Sequence, residues 1–169
     1  MRRVLTISAI AGTVVALCAP GASAAPASGW QPVRTPPFVR TGTCPFPVAG
    51  ASVTDEEEAR VDAVLPDGSP RVEEFRGPLT MRFTNQATGR SVVRDLSGYG
   101  RIRFSADGAS TGFFPDNVGL HVPVGTPGHA PGEFVVHGGA RMTIAADGTR
   151  EIRTFPHATI EDLCRTLAR

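Results

Sequence analysis

Three features of the sequence predict an all-β domain, an antiparallel β-barrel or sandwich of about eight to ten strands with a short C-terminal helix. Apolar residues recur at every second position in several segments, the spacing that places side chains on one face of an extended strand. The pairs Asp67-Gly68, Asp107-Gly108 and Asp147-Gly148 each sit between two such segments, where tight hairpin turns need residues that tolerate positive φ. Near the end, Ile160, Leu163, Cys164 and Leu167 repeat at helical spacing. The chain has 169 residues, a length that suits one domain, and its 19 Gly and 15 Pro point to many turns, excluding a coiled coil.

The N-terminus reads as a targeting segment. Met1-Arg2-Arg3 is followed by an apolar stretch from Val4 to Ala19 and by small residues ending in Ala22-Ser23-Ala24. This predicts a signal peptide over residues 1–24, cleaved after Ala24. The stretch is shorter than the roughly 20 residues that span a bilayer, and Leu17 before Cys18 does not suit a lipid-modified cysteine. No later stretch is apolar enough to span, so no membrane span is expected and the protein should be secreted (extracellular). Residues 25–43 carry Pro26, Pro32, Pro36 and Pro37, no acid and no period, which predicts a disordered Pro/Ala-rich tether. A single β-rich domain should then fill residues 44–169.

Within that domain the strand signals come in order. Ala59, Val61, Ala63 and Leu65 alternate with Glu58, Arg60, Asp62 and Val64; Leu79, Met81 and Phe83 alternate with polar residues, and so do Ile102 and Phe104. Phe134 and Val136 share a face, as do Met142 and Ile144, and Asn85 to Gly89 reads as a longer hairpin loop. The 40-residue spacing of the three Asp-Gly pairs also admits a threefold, trefoil-like repeat. Thr159 with Asp162 makes a weak capping box, so the helix is expected to begin at Ile160 and to carry Cys164 on its buried side.

Charge and cysteine content narrow the function classes. Loss of residues 1–24 would leave fifteen arginines against sixteen acids, a balance of −1 with no global attraction to nucleic acid or membrane. Cys18 would leave with the signal peptide, so Cys44 and Cys164 are predicted to form a disulfide in an oxidising compartment.

Cys44-Pro45-Phe46-Pro47-Val48, the stretch from Thr84-Asn85 to Thr88-Gly89-Arg90-Ser91-Val92, and the ending Asp162-Leu163-Cys164 with Leu167 resemble a group of small secreted actinobacterial β-rich proteins of unknown function. The resemblance covers residues 44–169. It implies an exported β-rich domain and lends no catalytic residues.

Motifs that carry chemistry are few. Gly108-Ala109-Ser110-Thr111-Gly112 has the form G-x-S-x-G, but Phe113-Phe114-Pro115 follows where a nucleophile elbow needs a helix. His121, His129 and His137 lie eight residues apart without a zinc signature, although His121 and His137 would meet if their strands paired in the right register. No metal and no cofactor is expected. Residues 55–74 carry eight acids and two arginines, and residues 76–105 carry six arginines and one acid. Cross-strand salt bridges between these two hairpins explain that pattern, and an outward arginine surface at Arg82, Arg101 and Arg103 is the sharper alternative, suited to an anionic envelope component.

The sequence therefore points to a non-enzymatic binding or envelope-associated domain. A barrel interior lined by Phe83, Ile102, Phe104, Phe134 and Met142 would admit a small apolar ligand, and otherwise these residues simply fill the core. The alternatives are a small secreted hydrolase or isomerase using Ser110 or His137, and an inhibitor or partner-binding module using the Pro/Gly-rich loop 123–132.

Overall fold

The structure is a computed structural model that describes residues 29–169. The expected signal peptide and residues 25–28 lie outside the described residues. Fourteen strands and one helix are described, and most strands join end to end across short kinks. The chain thereby runs as six long segments: β3 (Val48–Asp55) with β4 (Glu58–Val64), β5 (Pro70–Gly77) with β6 (Leu79–Asn85), β7 (Ser91–Asp95) with β8 (Gly98–Phe104), β9 (Ser110–Phe114) with β10 (Val118–Val122), β11 (Gly132–His137) with β12 (Ala140–Ile144), and β13 (Arg150–Thr154) with β14 (Thr159–Asp162). Ahead of them stand β1 (Gln31–Pro32) and β2 (Phe38–Arg40), and α1 (Leu163–Ala168) follows.

The kinks divide this up-and-down path into three antiparallel sheets. One end forms a continuous seven-stranded sheet, β1-β4-β5-β8-β9-β12-β13. The other end splits into a four-stranded sheet, β2-β3-β6-β7, and a three-stranded sheet, β10-β11-β14. Although β8 pairs with β9, their continuations β7 and β10 diverge into different sheets, and no closed barrel forms among the described residues.

The Asp-Gly pairs close β4–β5, β8–β9 and β12–β13, all hairpins of the seven-stranded sheet. In each turn the aspartate accepts the amide two residues on, from Ser69, Ala109 and Thr149 at 2.9, 3.0 and 2.8 Å. Hydrogen bonds from Ser69 hold the Asp67 carboxyl below its ordinary range, and those from Thr149 do the same for Asp147. The 40-residue spacing is thus one up-and-down excursion of two long segments.

Two kinks rest on glycine. Gly77 has φ +127° and a Cβ there would stand 2.5 Å from the Glu56 carbonyl oxygen; Gly139 has φ +96° with the Phe114 carbonyl oxygen 2.6 Å from its would-be Cβ. Side chains are excluded from both bends, and each bend redirects a strand from one sheet into another.

Two apolar clusters hold the sheets together. Val48, Leu79, Met81 and Phe83 of the four-stranded sheet pack against Val135 of β11 and Leu163 and Leu167 of α1. Leu120, Val122 and Val136 pack instead against Ala140 and Ile152 of the seven-stranded sheet. Val135 and Val136 are neighbours in one strand and face opposite ways, so the three-stranded sheet contributes to both clusters. Cys44 and Cys164 form the expected disulfide, with Cα atoms 5.3 Å apart across 120 residues of sequence.

Three expectations are corrected. Residues 29–43 are not a disordered tether: β1 pairs with β4, β2 pairs with β3, and Trp30 lies over Arg60 and Arg76 at 4.7 and 4.0 Å. Short two- and three-residue strands leave no alternation to read, so composition misled. The eight to ten strands become fourteen because kinks split six long segments into twelve strands and the N-terminal segment adds two. Thr159 does not cap the helix; Thr159–Asp162 pairs with β11, and Asp162 caps α1 by accepting the Arg165 amide at 3.1 Å. Ile160, counted on the helical face, is 56% exposed in β14.

Candidate functional site

Where the three sheets meet, the described residues leave a half-open cavity of about 430 Å³. Strand alternation carries its lining. Phe75, Leu79, Met81 and Phe83 keep odd-numbered parity along β5 and β6, and Gly98, Gly100 and Ile102 keep even parity along β8, where Tyr99 also borders the space, so mainly one face of these two segments points inward. Phe114 enters from β9, Leu120 from β10 and Phe134 from β11. Two missing side chains make the space for Phe114: a Cβ on Gly100 or Gly112 would stand 2.9 or 2.5 Å from its ring.

The N-terminal segment from Val33 to Arg40 borders the cavity. Its hold is polar. The Thr35 amide donates to Asp55 Oδ2 at 2.7 Å and its hydroxyl donates to Glu57 Oε2 at 2.9 Å. Arg34 Nη1 donates to the Asp55 carbonyl, and the Val33 amide to the Glu57 carbonyl at 2.9 Å. Burial raises the Glu57 carboxyl above its ordinary range, against the lowering effect of the Thr35 hydrogen bond.

A buried carboxylate occupies another part of the wall. Glu133 of β11 is 2% exposed. One oxygen accepts from Arg40 Nη1 at 2.7 Å; the other faces His121 Nδ1 at 2.6 Å and accepts from Thr43 Oγ1 at 3.3 Å. His121 stands opposite Glu133 in the β10–β11 ladder, whereas Arg40 comes from β2, and its guanidinium also rests 4.0 Å over the Phe38 ring.

The expected lining residues divide. Phe83, Ile102 and Phe134 border the cavity together, while Phe104 borders a separate recess with Val64 and Leu65, and Met142 packs against the second apolar cluster. Both excluded residues lie farther along their strands toward the Asp-Gly turns, which periodicity alone does not reveal.

The three candidate anion-binding arginines divide between two sheets. Arg82 lies in the four-stranded sheet and Arg101 and Arg103 in the seven-stranded sheet. Arg101 is directed to Asp62 and Glu74, at 3.5 and 3.6 Å. Together with Arg76, which pairs with Glu58 at 2.9 Å, these contacts are the cross-stretch salt bridges the charge pattern suggests, and within the acidic stretch Arg60 Nη2 is 2.6 Å from Glu74. The Tyr99 hydroxyl donates to Glu74 at 2.7 Å, which is the main reason its carboxyl lies below the ordinary range.

Ser110 begins β9 opposite Phe104 and Ile144, next to the Asp107-Gly108 turn. His137 lies at the far end of β11 and bonds Asn117 Oδ1 at 3.0 Å, so the fold does not bring these two candidates together. His121 and His137 do not meet either, because the register sets His121 against Glu133 and His137 beyond the last β10 pair. The loop after β10 is held by turns, including Thr126 Oγ1 donating to the Pro123 carbonyl at 2.9 Å.

Sequence reasoning missed the Arg40–Glu133–His121 cluster. His121 and Glu133 lie 12 residues apart on strands that pair, but nothing in the sequence marks Arg40, which lies 93 residues from Glu133. No family model, curated protein or solved structure matches the chain. No helix among the described residues is long and apolar enough to cross a membrane.

Proposed function

We propose that the protein is a secreted, envelope-associated binding domain, not an enzyme, and that its cavity holds one small, mainly apolar ligand. The observation that carries this reading is the cavity itself, about 430 Å³ of space walled by phenylalanine, leucine and methionine side chains from three sheets. That size falls within the range of small-molecule sites, and apolar walls with a few fixed polar groups are their usual chemistry. The disulfide supports export.

Nile red, a neutral apolar dye whose emission rises out of water, tests the reading. The protein should bind it saturably at one site. Ile102→Trp, which fills the cavity, should abolish that binding while the disulfide and the β-sheet circular dichroism persist. No saturable binding by the unaltered protein, or unchanged binding by Ile102→Trp, would refute the proposal.

A further inference from the structure

We infer that the ligand of this cavity is uncharged. This rests on the binding reading above and deepens it from the electrostatics of the wall. Four charged residues border the cavity, Arg34, Arg40, Glu57 and Glu133, two of each sign. Each is already engaged by a group of the protein.

Arg40 bonds Glu133 at 2.7 Å and stacks on Phe38. Glu133 holds Arg40 on one oxygen and His121 and Thr43 on the other. Glu57 accepts the Thr35 hydroxyl, and Arg34 bonds the Asp55 carbonyl.

An anionic ligand seated on Arg40 would have to displace the Glu133 carboxylate or lie against it. A cationic ligand seated on Glu133 would have to displace Arg40. Displacing Glu133 leaves a buried carboxylate without its arginine, which a low-dielectric site penalises heavily, and displacing Arg40 forfeits its 2.7 Å bond to Glu133 and its stacking on Phe38. A neutral molecule leaves the Arg40–Glu133 pair intact and buries its apolar surface against Phe75, Phe83, Phe114 and Phe134. Its polar atom, if it carries one, has the Asn117 amide at the wall, whose oxygen is turned to His137.

The test compares three probes with one ten-carbon tail, 1-decanol, decanoate and decylammonium, titrated at pH 7 against the unaltered protein by displacement of Nile red. The alcohol should bind at least about tenfold more tightly than either ion, about 1.4 kcal/mol. Equal or tighter binding of decanoate or decylammonium would overturn the inference and leave the cavity reading standing. Failure of all three to displace the dye, or failure of the dye to bind, would overturn the cavity reading and the inference with it.

A variant sharpens the result. Glu133→Gln keeps the shape and frees the Arg40 charge, so decanoate should gain at least about tenfold while decanol changes little. An unchanged decanoate affinity in a variant that still binds decanol would overturn the role given to the ion pair. Should that variant not fold, the three-probe comparison on the unaltered protein decides alone.

Discussion

Two buried glutamates, Glu74 and Glu133, are each paired with arginine, yet they are built in different ways. Glu74 stands in the seven-stranded sheet opposite Arg60 on β4 and Arg101 on β8, and it takes the hydroxyl of Tyr99 from that same β8. Every partner comes from an adjacent strand of the meander. Since Phe75 borders the cavity, alternation directs Glu74 to the other face of the sheet. Glu133 takes His121 from its neighbouring strand, but Arg40 and Thr43 reach it from the N-terminal segment, 93 and 90 residues away. The first cluster reinforces a sheet that hairpins already define; the second joins the N-terminal segment to the wall of a cavity.

The disulfide should separate the two most strongly. Cys44→Ser with Cys164→Ser opens a link spanning 120 residues and releases the stretch next to Thr43 and Arg40. The loss should reach about 5 kcal/mol in the chain-entropy description, read from the urea midpoint. Hydrogen exchange should accelerate around β2 and Glu133 more than around Glu74. Equal acceleration at both clusters would erase the distinction.

Arg40→Met comes next. It leaves Glu133 buried with only His121 and Thr43, and should cost about 3 kcal/mol. Tyr99→Phe removes one hydrogen bond from a glutamate that keeps Arg60 and should cost about 1–2 kcal/mol by the same measurement. A larger loss for Tyr99→Phe would reverse the order of the two clusters.

Acid titration sharpens the same contrast. Glu74 is held below the ordinary carboxylate range by Tyr99, and Glu161 by Arg94, which bonds it between β7 and β14. Their folded values are depressed, so their contribution is complete above the ordinary range and disappears as pH falls toward the depressed values. Tyr99→Phe should therefore flatten the loss of stability between neutral pH and about pH 3. Glu57 runs the other way, because burial raises its folded value and ionisation then opposes folding as pH rises. Glu57→Gln should stabilise the protein by less than about 1 kcal/mol at pH 7 and have no effect near pH 3. Stabilisation that persists at pH 3 would contradict the assignment.

These differences also explain what the sequence reveals. Period-two alternation in 79–83 and 102–104, with the Asp-Gly pairs, makes an all-β meander legible because hairpin chemistry is local. The acidic and basic stretches likewise disclose the Glu58–Arg76 and Glu74–Arg101 pairs, since neighbouring strands bring them together. Phe83, Ile102 and Phe134 are legible as inward-facing residues, but Phe104 and Met142 share their parity and differ only in distance along the strand. Arg40 is illegible for another reason. Its three-residue strand has no pattern of its own, and its place beside Glu133 depends on how the four-stranded and three-stranded sheets pack together.

The most direct measurement is isotope-filtered nuclear Overhauser spectroscopy of the labelled protein saturated with unlabelled 1-decanol. Cross-peaks should run from the alkyl chain to the Ile102 methyl groups and the rings of Phe83, Phe114 and Phe134. Cross-peaks confined to exposed apolar residues such as Val53, Val124 or Ile160 would contradict a ligand-holding cavity.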